Sequence, residues 1–448
     1  MATLRRPLTE PKPTYAHGRQ IAQHIFMATM ALVDVRRSML SKLKFEDGEL
    51  RLGEIIIPVA KPPRIVAVGK AAVRMSAALD EILRGRVEAG VVVAPVEPGK
   101  KLEGYRYFLG GHPYPTQGSL DGAQAALDLV SRLAPDDLVI FLVSGGGSAL
   151  FEKPLDPAVT LAALGEFNRL LVTGDLPIEQ INVLRKHISA VKGGRLAAAA
   201  SPARQLTLYI SDVPSDVPSM VASGPTMPDE STCEECYEIA ERNNLTAKLP
   251  AAIRERFEKR SLEETPKPGD ERFAHSSYFC LLSNRDAVEA AATMAGDAGI
   301  HAEISSGAWD ADYEQVVTSS LASLDQLVQA HSGRPVCLVV GGEVTCRVTG
   351  HGIGGRNLSF ALRAAQLIEG RERVVLSCAT DGRDGNSPSC GAVADGHTIS
   401  RARALGMDAA QFLAESDAYH FFRTLGDTVE TGFTDNNLRD LRLLMSFE

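Results

Sequence analysis

Ser144-Gly145-Gly146-Gly147-Ser148 is the densest chemical signal in the chain. Three consecutive glycines let the backbone turn tightly and aim N–H groups at an anion, and Ser144 and Ser148 add hydroxyl donors. A plain strand-to-helix turn would need the same glycines, and no Lys-Ser/Thr pair follows, so this is not a Walker A loop. Lys70 closes a second short turn, Val68-Gly69-Lys70. Arg185, Lys186, Lys192 and Arg195 put four cations within eleven residues of an acidic chain. They describe either a solvated helix face or a patch for an acidic substrate, where Arg grips a carboxylate through two parallel N–H bonds. Asp212 and Asp216 are suited to holding Mg²⁺ or accepting a proton, although Asp is also an ordinary turn residue. Ala222-Ser223-Gly224-Pro225-Thr226, Gly341-Gly342-Glu343, Gly352-Ile353-Gly354-Gly355-Arg356 and Thr380-Asp381-Gly382 repeat the pattern of glycine backbone beside polar or charged groups. Phosphoryl transfer needs that combination. Backbone N–H groups hold phosphate oxygens (145–147, 224, 226, 341–343, 354 and 355), and cations such as Lys70 and Arg356 neutralise the transferring group. One carboxylate holds Mg²⁺ and another orients the attacking hydroxyl, which are roles for Asp212, Asp216 and Asp381.

The elements that must position these groups alternate. Strands are expected at 66–68, 90–94, 137–143 and 205–210, with helices at 71–83, 119–133 and 158–171 between them, which is an α/β pattern with a mostly parallel sheet. Lys70, the 144–148 loop and Asp212 then all fall just past strand ends, the edge where open α/β sheets bind ligands. A helix is expected over 17–43. A charged stretch, 228–272, ends in a linker at 265–272. A second α/β region follows, with strands from 278, at 335–340 and at 374–379, and helices at 285–298, 358–369 and 414–430. The expected domains are 1–264, with a Rossmann-like sheet, and 273–448.

With 448 residues the chain exceeds one hydrophobic core, and its 44% hydrophobic and 23% charged content is that of a globular protein. A net charge of −9 argues against nucleic-acid and anionic-membrane partners, and no apolar run is long enough to span a bilayer. Residues 1–15 lack the apolar core of a secretory signal. Seven scattered cysteines do not make a disulfide framework, and Cys233-Glu234-Glu235-Cys236 has metal-ligand spacing with no second half and no His nearby in sequence. A cytoplasmic protein is expected. His112 and His187 read as turn or structural histidines.

Taken together, Gly110-Gly111-His112-Pro113, Ser144–Leu150, Ile181-Asn182 through Arg185-Lys186-His187 to Lys192-Gly193-Gly194, Ala222–Thr226, Gly341–Glu343, Gly352–Asn357 and Thr380–Gly385 resemble, in order, the glycerate 2-kinase family with its carboxy-terminal MOFRL domain. The resemblance runs from about residue 17 to the end. It implies an ATP- and Mg²⁺-dependent kinase that phosphorylates D-glycerate at the 2-hydroxyl in a cleft between two α/β domains, with Lys70 and Arg356 matching the family's active-site candidates. Small-molecule hydroxy acid and nucleotide are the implied partners, and a homodimer is left open. Such chains were often labelled hydroxypyruvate reductases, but there is no G-x-G-x-x-G fingerprint after the first strand. The pattern departs from the family at Thr116, Ser215, Leu358, Ser359 and the loop 431–440, which leaves a related short hydroxy acid open as acceptor.

Overall fold

The computed structural model describes residues 15–174, 176–213 and 217–448. They form two compact units: one is continuous, 35–281, and the other is split, joining 15–34 to 282–448.

In the continuous unit the central strand, β4 (Leu138–Val143), reads LVIFLV and is buried at every position. Such an unbroken apolar run suits a strand covered on both faces. Around it lie β1 (Arg64–Val68), β2 (Ala89–Ala94), β3 (Tyr105–Leu109), β5 (Arg204–Ile210) and β6 (Ser276–Leu282) in the order β3-β2-β1-β4-β5-β6. The pairings β1–β2, β2–β3, β1–β4 and β4–β5 are all parallel. This is the strand order of dinucleotide-binding sheets, and its direction of winding reverses between β1 and β4. Helices Ala72–Ile82 and Gln117–Val130 connect the strands; Thr116 and Ser119 form a capping box at the start of the latter. A three-stranded antiparallel meander, 43–58, precedes β1, where the sequence reading assigned no strand.

The split unit has a mixed sheet of β7 (His301–Ile304), β8 (Val336–Val340), β9 (Arg373–Ala379), β10 (Gly391–Asp395), β11 (Thr428–Val429) and β12 (Asp440–Ser446), ordered β7-β8-β12-β9-β10-β11. β12 runs antiparallel to both its neighbours and is buried throughout. Strand alternation sends Val374, Leu376 and Cys378 to one face, against Ala22, Phe26 and Ala291. Val375 and Leu444 go to the other face, against Val317, Leu324 and Phe360.

The expected division at 264/273 differs from this in two ways. The 265–272 segment lies inside the continuous unit, where Thr265 is buried, and the next strand, β6, completes the first sheet. The helix expected over 17–43 is two helices, Tyr15–Leu32 and Val35–Lys42, and the break between them is the unit boundary. Tyr15–Leu32 belongs to the split unit because Ala22, Ile25 and Phe26 bury themselves beside Val374, Met445 and Phe447. The helix expected over 414–430 is confined to Ala418–Leu425. No helix among the described residues is long and apolar enough to cross a membrane.

Candidate active site

In the continuous unit, Lys70 and the glycine loop flank the switch point of the sheet and are bonded to each other. The Lys70 N–H donates to the Gly145 carbonyl at 2.9 Å. Gly146 takes a left-handed φ of 81°, and a side chain on it would meet the Lys70 stem and the His112 ring at 3.2 and 3.4 Å. Lys70, His112 and Gly146 therefore converge, and the sequence reading had not linked His112 to the loop. The N–H groups of Gly145, Gly146 and Gly147 donate to no other described residue, whereas their carbonyls accept from Lys70, from Ala149 and Leu150, and from Phe151. The helix that follows the loop is a single turn, Gly147–Leu150, so the backbone N–H groups rather than a helix dipole are what the loop offers an anion.

The flanking hydroxyls are already engaged. Ser144 Oγ accepts the Ala71 N–H at 3.0 Å and donates to the Val68 carbonyl at 3.3 Å, tying the two strand-end loops together. Ser223 Oγ donates to Asn182 Oδ1 at 3.0 Å, so the 2.8 Å contact between Ser148 and Ser223 uses the Ser148 proton. Neither serine is left with an O–H for an anion, which corrects their expected substrate role. Ala222, Ser223 and Gly224 all have φ between 53° and 60°. For the two non-glycines this costs on the order of 1–2 kcal/mol each. The turn is held by Gly193 and Gly194 N–H bonds to the Ser223 and Gly224 carbonyls at 3.1 and 2.7 Å. The Gly224 N–H goes to Val221, and Thr226 is buried, so neither presents a donor as expected.

The cation run is neither a solvated face nor an open patch. Lys186 is buried against Asp229 at 2.9 Å, and Lys192, with no exposed surface, pairs with Glu152 and donates to the Phe151 carbonyl. Both are interior ion pairs, which corrects their expected role as substrate ligands. Burial pushes the Lys192 ammonium down in spite of Glu152. Arg185 differs: its Nε donates to the neutral Asn168 Oδ1 at 2.9 Å, and its two terminal nitrogens bond no described residue. Burial lowers its pKa, with Glu152 opposing, and the guanidinium stays charged. Asp212 lies half-buried just past β5. Asp216 falls outside the described residues.

In the split unit, Arg356 opens the helix Arg356–Leu367 and is held from two sides. Its Nε and Nη2 grip Asp440 at 2.7 and 3.0 Å, and its Nη1 reaches Glu343 at 2.6 Å. Glu343 also pairs with Arg439, and Asp440 with Arg442. Glu343 is thus the anchor of two arginines rather than a phosphate ligand. Burial pushes the Asp440 carboxyl up, but Arg356, Arg442 and Asn357 hold it below the usual range. Asp381 is close enough for its charge to act on Arg356. Asp384 accepts the Asn357 and Leu358 N–H groups at 3.1 and 2.8 Å, occupying the helix N-terminus; burial pushes its pKa up to about 6 against those bonds. The expected phosphate glycines have structural partners here. The Gly342 N–H goes to Asn284 and the Gly354 N–H to Asn386, at 2.9 and 2.8 Å. A side chain on Gly341 would collide with Asn284 at 1.9 Å, and one on Gly355 with Asp384 at 2.5 Å. Ser359, one of the departures from the family pattern, is buried with its hydroxyl on Cys346.

The sequence reading missed Asp440, Arg442 and Arg439. A signal was present, because Asp440 and Arg442 stand two apart in the otherwise apolar run DLRLLMS and so share one face of a buried strand.

A doubly wound sheet with open N–H groups and a lysine at its switch point defines an α/β protein that handles anionic ligands. The profile of the domain of unknown function DUF4147 matches residues 21–258, and that of the MOFRL family matches 336–440. The chain is 36% identical over 381 residues to the D-glycerate 2-kinase of Thermotoga maritima, covering 84% of this chain and 89% of that one. It is 33% identical to the glycerate 2-kinase of Pyrococcus horikoshii, covering 94% and 96%. The crystal structure of the Thermotoga maritima glycerate kinase superposes with a TM-score of 0.81 at 32% identity, covering 96% of this chain and 99% of that one. The chain belongs to the glycerate 2-kinase family.

Proposed function

We propose that the protein transfers the γ-phosphoryl group of ATP to the 2-hydroxyl of D-glycerate, giving 2-phosphoglycerate. The observation that carries this reading is the bond between Lys70 and the glycine loop at the switch point, in a chain 36% identical to a D-glycerate 2-kinase. The N–H groups of Gly145, Gly146 and Gly147 hold phosphate oxygens, and Lys70 neutralises the charge that grows on the transferring group. The terminal nitrogens of Arg185 take the glycerate carboxylate. Arg356 has to exchange Glu343 for phosphate while Asp440 keeps its Nε and Nη2, so that Asp440 orients the clamp and Asp381 adds local negative charge.

Mg²⁺ suits Asp212, a half-buried carboxylate at the carboxyl edge of the sheet, and it would supply neutralisation of the nucleotide phosphates. Seven cysteines without a disulfide support a reducing, cytoplasmic setting. The test is Mg·ATP with D-glycerate, followed by phosphorus NMR. A 2-phosphoglycerate resonance is expected; a folded protein that makes no phosphorylated product from any three- or four-carbon hydroxy acid sinks the reading. A related short hydroxy acid is the second acceptor to test, because the loop 431–440 departs from the family and exposes Phe433, 71% accessible, beneath Arg383. Relative kcat/KM over the same acids separates the two.

A further inference from the structure

Cys233 and Cys236 had no histidine near them in sequence, but the fold supplies one. His187 Nε2, Cys233 Sγ and a Glu264 carboxylate oxygen all lie within 4.8 Å of one another. We propose that these three groups form a site for a zinc-class divalent cation in the continuous unit, independent of the kinase reading.

The orientation of the histidine is the main argument. His187 Nδ1 lies 2.9 Å from the Val183 carbonyl, one turn back on the helix Ile178–Ile188. A carbonyl only accepts, so Nδ1 carries the proton and Nε2 keeps its lone pair. That is how metal-binding histidines are held by a backbone carbonyl on the other nitrogen. His187 is 1% exposed, and its Nε2 is a buried atom with no hydrogen-bond partner. It faces Glu264 Oε2 at 3.7 Å. Burial lowers the His187 pKa, keeping the ring neutral.

The other two donors are fixed beside it. Cys233 opens the helix Cys233–Arg242, and its own N–H donates to Glu264 Oε1 at 2.9 Å. Its thiol is pushed up to about 11, first by burial and then by Glu264, so the metal has to displace the proton to solvent. A thiolate, a carboxylate and a neutral imidazole balance a divalent charge, with His187 and Cys233 buried and Glu264 at the exposed side; sulfur and imidazole together favour zinc over magnesium or calcium. Two cations face the cluster. Lys267 Nζ lies 2.8 Å from Glu264 and keeps its bonds to Thr265 and Ser231 if that pair opens, and the Arg195 charge favours the thiolate. Cys236, one turn along the same helix, is packed on the Val183 carbonyl at 3.5 Å. Binding would clamp the helix that carries Arg185 to the helix Cys233–Arg242.

Cobalt tests the site, because thiolate ligation produces a charge-transfer band in the near ultraviolet that imidazole and carboxylate alone do not. The chelator-treated full chain should take up Co²⁺ with that band at one equivalent, lose it to added Zn²⁺, and melt at a higher temperature when loaded. Cys233→Ser and Glu264→Gln should abolish or weaken the band. His331→Gln should leave it intact, which excludes the surface group of His301, Glu303 and His331 as its source. Absence of a sulfur band in folded chain, or a band that survives Cys233→Ser, overturns the proposal.

Discussion

Among the buried cations that follow residue 184, the partner decides the role. Lys192 faces Glu152 inside the protein, so Lys192→Ala leaves a buried carboxylate uncompensated and should cost about 3–5 kcal/mol in denaturant unfolding. Arg185 is bonded to a neutral amide and keeps its two ends open, so Arg185→Ala should act on the acid instead. Its KM for glycerate should rise roughly 10- to 100-fold, the loss of a charge-assisted pair, with Tm little changed; an unchanged KM would return Arg185 to a structural role. Asp384 gives a pH signature. Its folded pKa of about 6 lies above the ordinary carboxylate value, so the folded state binds the extra proton. Its contribution to stability is full below about pH 4 and is lost as pH rises to 6, by roughly 2–3 kcal/mol. Below pH 4 Asp440, held low, works the other way. Asp384→Asn should flatten the fall between pH 4 and 6 in a series of unfolding curves. Sequence alone separated none of these cases, because Lys186, Lys192 and Arg185 look alike until the carboxylates of Asp229 and Glu152, 43 and 40 residues away along the chain, arrive beside two of them.

At the scale of elements, the parallel strands and their order of appearance were legible, because LVIFLV and VVV runs admit few other readings. So was the position of Lys70 and the glycine loop past strand ends. The glycines were harder to read: a glycine that an anion needs and a glycine that a neighbour needs look the same in a sequence, and Gly341, Gly342 and Gly355 belong to the second kind. Gly147 belongs there too in part. A methyl added to it would come within 2.5 Å of the Ala222 Cβ, in the turn already strained at Ala222 and Ser223. Gly147→Ala should therefore destabilise the protein by about 1–3 kcal/mol through overpacking. Ala222→Gly, which removes the opposing methyl and the left-handed penalty, should restore most of it in the double variant. A double-mutant cycle by thermal unfolding checks this; purely additive effects would mean that the two turns do not press on each other.

For the whole molecule, the split unit is the unexpected feature. Charge and composition pointed to a boundary near 265–272, and nothing local in Tyr15–Leu32 revealed that its apolar stripe answers Val374 and Met445. The strand that completes this unit, β12, lies at the centre of its sheet although it follows every other strand in the chain. A chain ending at Arg439 should leave 282–439 sensitive to limited proteolysis while 35–281 resists, since the continuous unit keeps all its strands; equal resistance of both parts would contradict this. The order also matters while the protein is being made. The ribosome delivers helix Tyr15–Leu32 before all of its partners and β12 after the others, and at about 5–20 residues per second the wait for β12 is roughly 20–80 s. Until Ala291 and then Val374 emerge, the continuous unit can fold while Ile25 and Phe26 have no native surface to cover them. A nascent chain of this protein is therefore a client for whatever shields apolar segments at the ribosome exit, at its beginning rather than its end.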